Sequence, residues 1–269
     1  MDFALLQVGI TSYSGGLALR GCVNDCKNLL NQFSRFKGAP TEWLQLIDGD
    51  ATRTRILDGL QWLISADSPL LIFQYSGHGA RVRDRNGDES DKYDSAICPV
   101  DFCEEGLILD DELADIYAHT DSSKRLIIFF DSCHSGQSQR GITRQVKAMF
   151  RMSIPRFLPE SAIDDKTAEK SRPLAGYKLT TRKSFIENNE RAILISSSKE
   201  TQTSADAYID KMWQGAGTAA LLYAWNQLGI NANYWDAARV ANVWLKKNDY
   251  SQVLRVEGGN ENKGRPIFT

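Results

Sequence analysis

The sequence predicts an α/β fold, a three-layer sandwich in which a mostly parallel central sheet of about six strands carries helices on both faces. Three observations predict it. Short apolar runs alternate with segments of helical period along the chain. Two of the runs, Leu70 to Tyr75 and Arg125 to Asp131, are apolar on both faces, as central parallel strands are. Both run into polar sequences rich in Gly, Ser, His and Cys, at the strand ends where open parallel sheets collect ligands.

Each element has its own signal. Phe3 to Val8 reads as a buried strand, and Asp25 to Lys37 as a helix with Leu29, Leu30, Phe33 and Phe36 on one side and Gly38 as its stop. Trp43 to Ile47 is a second strand. Thr54 to Ala66 repeats Ile56, Leu60, Leu63 and Ile64 at helical spacing before the strand at Leu70. Arg81 to Asp94 is too hydrophilic for a core, and Asp111 to His119 is a short helix. Arg125 to Asp131 is the strongest strand signal in the chain. From about residue 137 to 189 no period is sustained, and this reads as a long basic loop inserted in a single domain spanning 1–269. Arg191 to Ser196 resumes as a strand. Two helices then carry Leu221, Leu222, Trp225 and Leu228, and Ala237, Val240, Ala241, Trp244 and Leu245. An edge strand containing Pro266 is expected near the end, which suits a monomer because proline blunts a sheet edge.

Composition excludes several classes. With 269 residues, 42% of them hydrophobic, the chain is long enough to bury a large core. A net charge of -2 gives no basic excess to recruit nucleic acid. No apolar run approaches the roughly 20 residues that span a bilayer, and Met1-Asp2-Phe3 opens no signal peptide. Five cysteines, an odd count, fit a reducing compartment, so a cytoplasmic location is expected. The charge is unevenly spread, however. Asp84 to Asp121 holds 13 acids and 2 bases, whereas Arg140 to Arg191 holds 12 bases and 6 acids.

The chemistry sits at the two strand ends. One leads into Tyr75-Ser76-Gly77-His78-Gly79 and the other into Asp131-Ser132-Cys133-His134-Ser135-Gly136. If these strands are parallel neighbours, His78 and Cys133 face one crevice. A thiol within reach of an imidazole is the minimum for a cysteine nucleophile, since the ring accepts the thiol proton and later protonates the leaving amine. The N–H groups of Gly79 and Cys133 are placed to form an oxyanion hole. His134 is the weaker base because neighbours on an extended chain point to opposite sides. Zinc is not expected: Cys22 and Cys26, Cys98 and Cys103, and three scattered histidines complete no ligand set.

These motifs resemble the metacaspases, a family of caspase-like cysteine peptidases. Tyr-Ser-Gly-His-Gly at 75–79 and Asp-Ser-Cys-His-Ser-Gly at 131–136 match the family's two catalytic motifs. Gly21-Cys22-Val23-Asn24-Asp25, Lys92-Tyr93-Asp94, Pro99-Val100-Asp101-Phe102 and Gln202-Thr203-Ser204-Ala205-Asp206 match its other landmarks in order. The resemblance implies a caspase-like fold, a Cys133–His78 dyad, and cleavage of peptide or protein substrates after Arg or Lys. It places Asp25 and Asp131 in the pocket for that cation, with Cys22 and Ser76 beside them. Desolvated carboxylates are what such a pocket needs.

The resemblance also raises calcium as an activator. The matching positions are Asp94, Asp110 and Asp111, hard oxygen ligands in an acidic stretch. Arg140 stands where the family carries a further Asp, so calcium dependence stays open. The basic insert offers Arg140, Arg144, Lys147 and Arg151 as residues that one of the chain's own cuts would follow, with one of them filling the pocket at rest. Two other readings stand beside this one: a different Arg-specific peptidase of the same clan, clostripain- or gingipain-like, and a catalytically silent scaffold or cell-death adaptor.

Overall fold

A computed structural model describes residues 2–83, 92–133, 153–171, 186, 191–198 and 204–267. In chain order its elements are β1 (Phe3–Gly9), α1 (Cys22–Lys37), β2 (Glu42–Ile47), α2 (Arg53–Ser65), β3 (Leu70–Ser76), β4 (Gly79–Arg83) and β5 (Tyr93–Ile97). Then come α3 (Phe102–Glu105), β6 (Ile108–Leu109), α4 (Asp110–Ala118), β7 (Arg125–Asp131), β8 (Ser153–Pro155), α5 (Asp165–Lys170) and β9 (Ala192–Ser196). The chain closes with β10 (Ala205–Ile209), β11 (Met212–Gly215), α6 (Ala216–Leu228), α7 (Tyr234–Lys247), β12 (Arg255–Gly258) and α8 (Asn260–Gly264).

The central sheet has six strands in the order β12-β9-β7-β3-β1-β2. All neighbours pair in parallel except β12, which runs antiparallel to β9. Side chains alternate cleanly between its faces, as the two-residue period of a strand requires. Leu71, Phe73 and Tyr75 of β3 and Leu126, Ile128 and Phe130 of β7 join the apolar cluster that includes Ile56, Leu60 and Leu63 of α2 and Leu113 and Ile116 of α4. Leu70, Ile72, Ile127 and Phe129 face the opposite cluster with Leu29 and Phe33 of α1, Trp225 of α6 and Ala241 of α7. Burial on both faces explains why these strands read as continuous apolar runs.

The layered architecture and the strand-helix alternation agree with the sequence reading, and three details differ. Arg81–Arg83 and Tyr93–Asp94, read as non-core, belong to a small antiparallel sheet in the order β4-β5-β6. Inside the presumed irregular insert, β8 and α5 are ordered, and β8 pairs with β10 in a second small sheet, β11-β10-β8. The C-terminal edge strand is Arg255–Gly258, while Pro266 makes only an isolated bridge to Asn233. Strands of two to five residues carry too little period to be seen in a sequence. Among the described residues no helix is long and apolar enough to cross a membrane.

Candidate active site

Parallel pairing sets Ser76 directly against Asp131 at the carboxyl ends of β3 and β7. Two residues further on each chain lie His78 and Cys133, both buried. The backbones touch just beyond: a Cβ added to Gly79 would lie 1.9 Å from the Cys133 carbonyl oxygen, so no other residue fits there without displacing the Cys133 backbone. The structure therefore brings the backbone of His78 and Gly79 against that of Cys133, while the Cys133 sulfur hydrogen-bonds Ser204 rather than the imidazole.

His78 is held firmly. Its Nε2 lies 2.7 Å from the Leu17 carbonyl oxygen. Since a carbonyl only accepts, Nε2 carries the proton, and the buried Nδ1, which has no hydrogen-bond partner, keeps its lone pair. The Tyr13 ring packs on the imidazole at 4.7 Å between centroids, and Tyr13 Oη accepts the His78 N–H. Tyr75 Oη donates to the His78 carbonyl at 2.6 Å. Burial lowers the imidazole to about 4, so the ring is neutral at physiological pH. Burial likewise pushes the Cys133 thiol up to about 12, and its sulfur rests on the backbone of Ser204, accepting that residue's N–H. Both side chains are therefore uncharged in this state.

The pocket beside them is filled from within. Arg156, wholly buried, sends its guanidinium among three carboxylates. Nη2 lies 2.7 Å from Asp25 Oδ2 and 2.9 Å from Asp206 Oδ1. Nη1 lies 3.5 Å from Asp131 Oδ1 and donates to the Asp131 carbonyl at 3.1 Å. A Cβ on Gly215 would sit 2.1 Å from Asp131 Oδ2 and 2.6 Å from Nη1, so a bare glycine forms the pocket wall. Cys22 lies one helical turn before Asp25 on α1 and Ser76 lies opposite Asp131; both are buried.

The carboxylates are held differently. Burial raises Asp25 to about 7, against the pull of Arg156 and with added repulsion from Asp131. Burial also works to raise Asp131, but Arg156 and the hydrogen bonds from Ser204 and Thr218 outweigh it and hold the carboxyl below its ordinary value. Asp25 is not a helix cap. The helix begins at Cys22, one turn earlier than its sequence pattern suggests, which turns Asp25 inward to accept the Gly215 N–H at 2.9 Å.

The backbone of Arg156 completes the picture. Its carbonyl oxygen accepts the Gly79 N–H at 3.1 Å and the Cys133 N–H at 3.2 Å, and its own N–H donates to the Ser204 carbonyl at 3.0 Å. The carbonyl thus occupies the two-donor hole expected from the sequence, with the guanidinium in the acidic pocket. Arg140, Arg144, Lys147 and Arg151 lie outside the described residues; the occupant is a different base of the same insert. The sequence reading also missed Asp206 and Ser204 as pocket residues, although both stand in a landmark it singled out. Leu17 acts through a main-chain carbonyl, which leaves no mark in residue type. Asp94 on β5 and Asp110 and Asp111 at the start of α4 are all buried, and among the described residues no group of three or more His, Cys, Asp or Glu is placed to hold a metal ion.

This fold and site define a caspase-like cysteine-peptidase domain. The chain belongs to the metacaspase family: the family model described as metacaspase, peptidase C14 domain, matches residues 4–139. Metacaspase-1A of Aspergillus oryzae is 33% identical over 247 residues, covering 81% of this chain and 58% of that protein. Metacaspase-1 of Saccharomyces cerevisiae is 31% identical over 252 residues, covering 81% and 57%. The chain thus spans less than two thirds of the length of these curated relatives. Among solved structures, protein GSU0716 from Geobacter sulfurreducens superposes with a TM-score of 0.74 at 21% identity, covering 100% of this chain and 99% of that one, a likeness of fold.

Proposed function

We propose that this chain is a cysteine endopeptidase that cuts after arginine or lysine, and that the Arg156–Phe157 bond of its own insert is its first substrate. One observation carries the reading. Arg156 presents its carbonyl to the Gly79 and Cys133 N–H groups while three buried carboxylates hold its side chain. A peptide bond polarised next to a thiol, with its preceding side chain recognised, is a substrate in place.

The chemistry follows from the groups present. Cys133 gives its thiol proton to Nδ1 of His78 as its sulfur forms a bond to the Arg156 carbonyl carbon, and the oxygen's new charge is met by the two N–H donors. The C–N bond then breaks as the imidazolium returns the proton to the Phe157 amine. Water attacks the resulting thioester, with His78 taking its proton, and releases the Arg156 carboxylate and the thiol. In the described state the sulfur lies on Ser204, so it must rotate away before attack. Calcium stays open as an activator: Asp94, Asp110 and Asp111 would be its carboxylates, and Arg140 stands where the resemblance expects a further one. All five cysteines are free thiols, which supports a reducing, cytoplasmic setting.

Mass spectrometry of the purified chain beside its Cys133→Ala variant tests this. The expected result is a cut after Arg156 in the wild type alone, together with turnover of Arg and Lys fluorogenic peptides. A wild-type chain that stays intact while hydrolysing such peptides removes the self-processing part. A preference for Asp peptides removes the pocket assignment.

A further inference from the structure

The segment through the site also reports on the far side of the scissile bond. The register is fixed by the Arg156 carbonyl in its two-donor hole, so Phe157 and Leu158 are the first and second residues beyond the bond. Phe157 bridges Gly79 in the parallel sense, and the Leu158 N–H donates to the Gly79 carbonyl at 2.8 Å. In an extended chain alternate side chains share a side. Arg156 and Leu158 point in, both 0% exposed, while Phe157 between them is only half-buried. On the other side of the bond, Pro155 is exposed and Ile154 half-buried.

The Leu158 side chain enters the apolar cluster that holds Ala80 and Val82 of β4 and Ala96 and Ile97 of β5. Leu158 thus sits in an apolar pocket beside β4, two residues from the acidic one. Resting on the peptidase reading above, we propose that this pocket is a substrate subsite. It selects a large aliphatic residue at the second position after the cut, while the position immediately before the arginine is read weakly because the structure leaves it open. The preferred substrates thus carry Arg-x-Leu rather than arginine alone. Desolvating a leucine side chain supplies the discrimination, and a carboxylate entering the same pocket would lose its hydration without a partner.

Internally quenched peptides with the sequence Ser-Ile-Pro-Arg-Phe-Leu-Pro-Glu test this in trans, free of the rest of the insert. The full-length chain is assayed with the parent, with its leucine replaced by glycine or aspartate, and with its first proline replaced by alanine or glutamate. The expected result is a fall in kcat/KM of about 10- to 100-fold for the leucine replacements and a flat response to the proline replacements. Equal turnover of the leucine, glycine and aspartate peptides overturns the subsite and shows that Leu158 only anchors the insert. Failure to cut any peptide, the parent included, instead overturns the peptidase reading and takes this inference with it.

Discussion

Arg156 and Asp206 form a wholly buried ion pair at 2.9 Å, although fifty residues separate them in the chain. Asp206 also accepts the N–H groups of Arg20 and Gly21, so its carboxylate is anchored by backbone before any cation arrives. With Asp25 it clamps the same guanidinium nitrogen, which makes it a third reader of the cation. The expected outcome for Asp206→Asn is a loss of about 2–5 kcal/mol of transition-state binding for arginine peptides. It is measured as kcat/KM against Arg and Lys series, with thermal unfolding run alongside. Unchanged arginine turnover would show that Asp25 and Asp131 suffice.

Removing the guanidinium leaves three buried carboxylates facing one another. Arg156→Ala, made in the Cys133→Ala background, is expected to cost about 3–5 kcal/mol of stability at about pH 7. Without their cation the carboxyls bind protons more readily when folded than when unfolded, so the lost stability returns as the pH falls. Chemical denaturation at about pH 7 and about pH 5 reads both effects. A variant as stable as its parent at the higher pH would mean the pair contributes nothing net.

The proposed oxyanion hole depends on the absence of a side chain at Gly79. In Gly79→Ala the new methyl meets the Cys133 carbonyl and drives the two donors apart. A fall in kcat of about 10²- to 10³-fold is expected, as for loss of one such donor elsewhere, with a smaller change in KM. Near-normal kcat in a folded Gly79→Ala protein would place the hole elsewhere.

Acid sensitivity has two opposed sources. His78 titrates at about 4 in the folded chain against an ordinary 6.5. Its contribution is therefore complete above 6.5 and lost as the pH falls toward 4, by about 3 kcal/mol. Asp25 runs the other way. Its folded value of about 7 exceeds the ordinary 3.8, so its contribution is complete below 3.8 and lost as the pH rises through 7. Unfolding free energies measured across this window should fall less steeply toward acid in His78→Asn than in the wild type, and more steeply in Asp25→Asn. Parallel profiles for all three would contradict both assignments.

Much of the fold was legible because the central strands are buried on both faces and announce themselves as apolar runs. The site was legible where residue type and strand end coincide, as at His78 and Cys133. Asp25 and Asp131 needed the motif context, since an acid near a helix start or a strand end has commoner explanations. Arg156 was hidden for a different reason. It is one of 12 bases between Arg140 and Arg191, and only the pairing of the three-residue β8 with β10 delivers it to the pocket. The one local hint is that the apolar Ile154, Phe157 and Leu158 flank it, with Pro155 and Pro159 among them.

The β8–β10 pairing bears on which polypeptides the proposed peptidase would accept. Ser153–Pro155 lies at the outer position of its sheet, antiparallel to β10. Were the proposed self-cleavage to release it, β10 would offer unsatisfied main-chain donors and acceptors that a foreign polypeptide could complete by strand addition. Helical segments cannot present themselves this way without melting. On the peptidase reading proposed above, recognition by backbone would restrict attack to linkers, tails and locally unravelled stretches, and native helices carrying arginine would be spared.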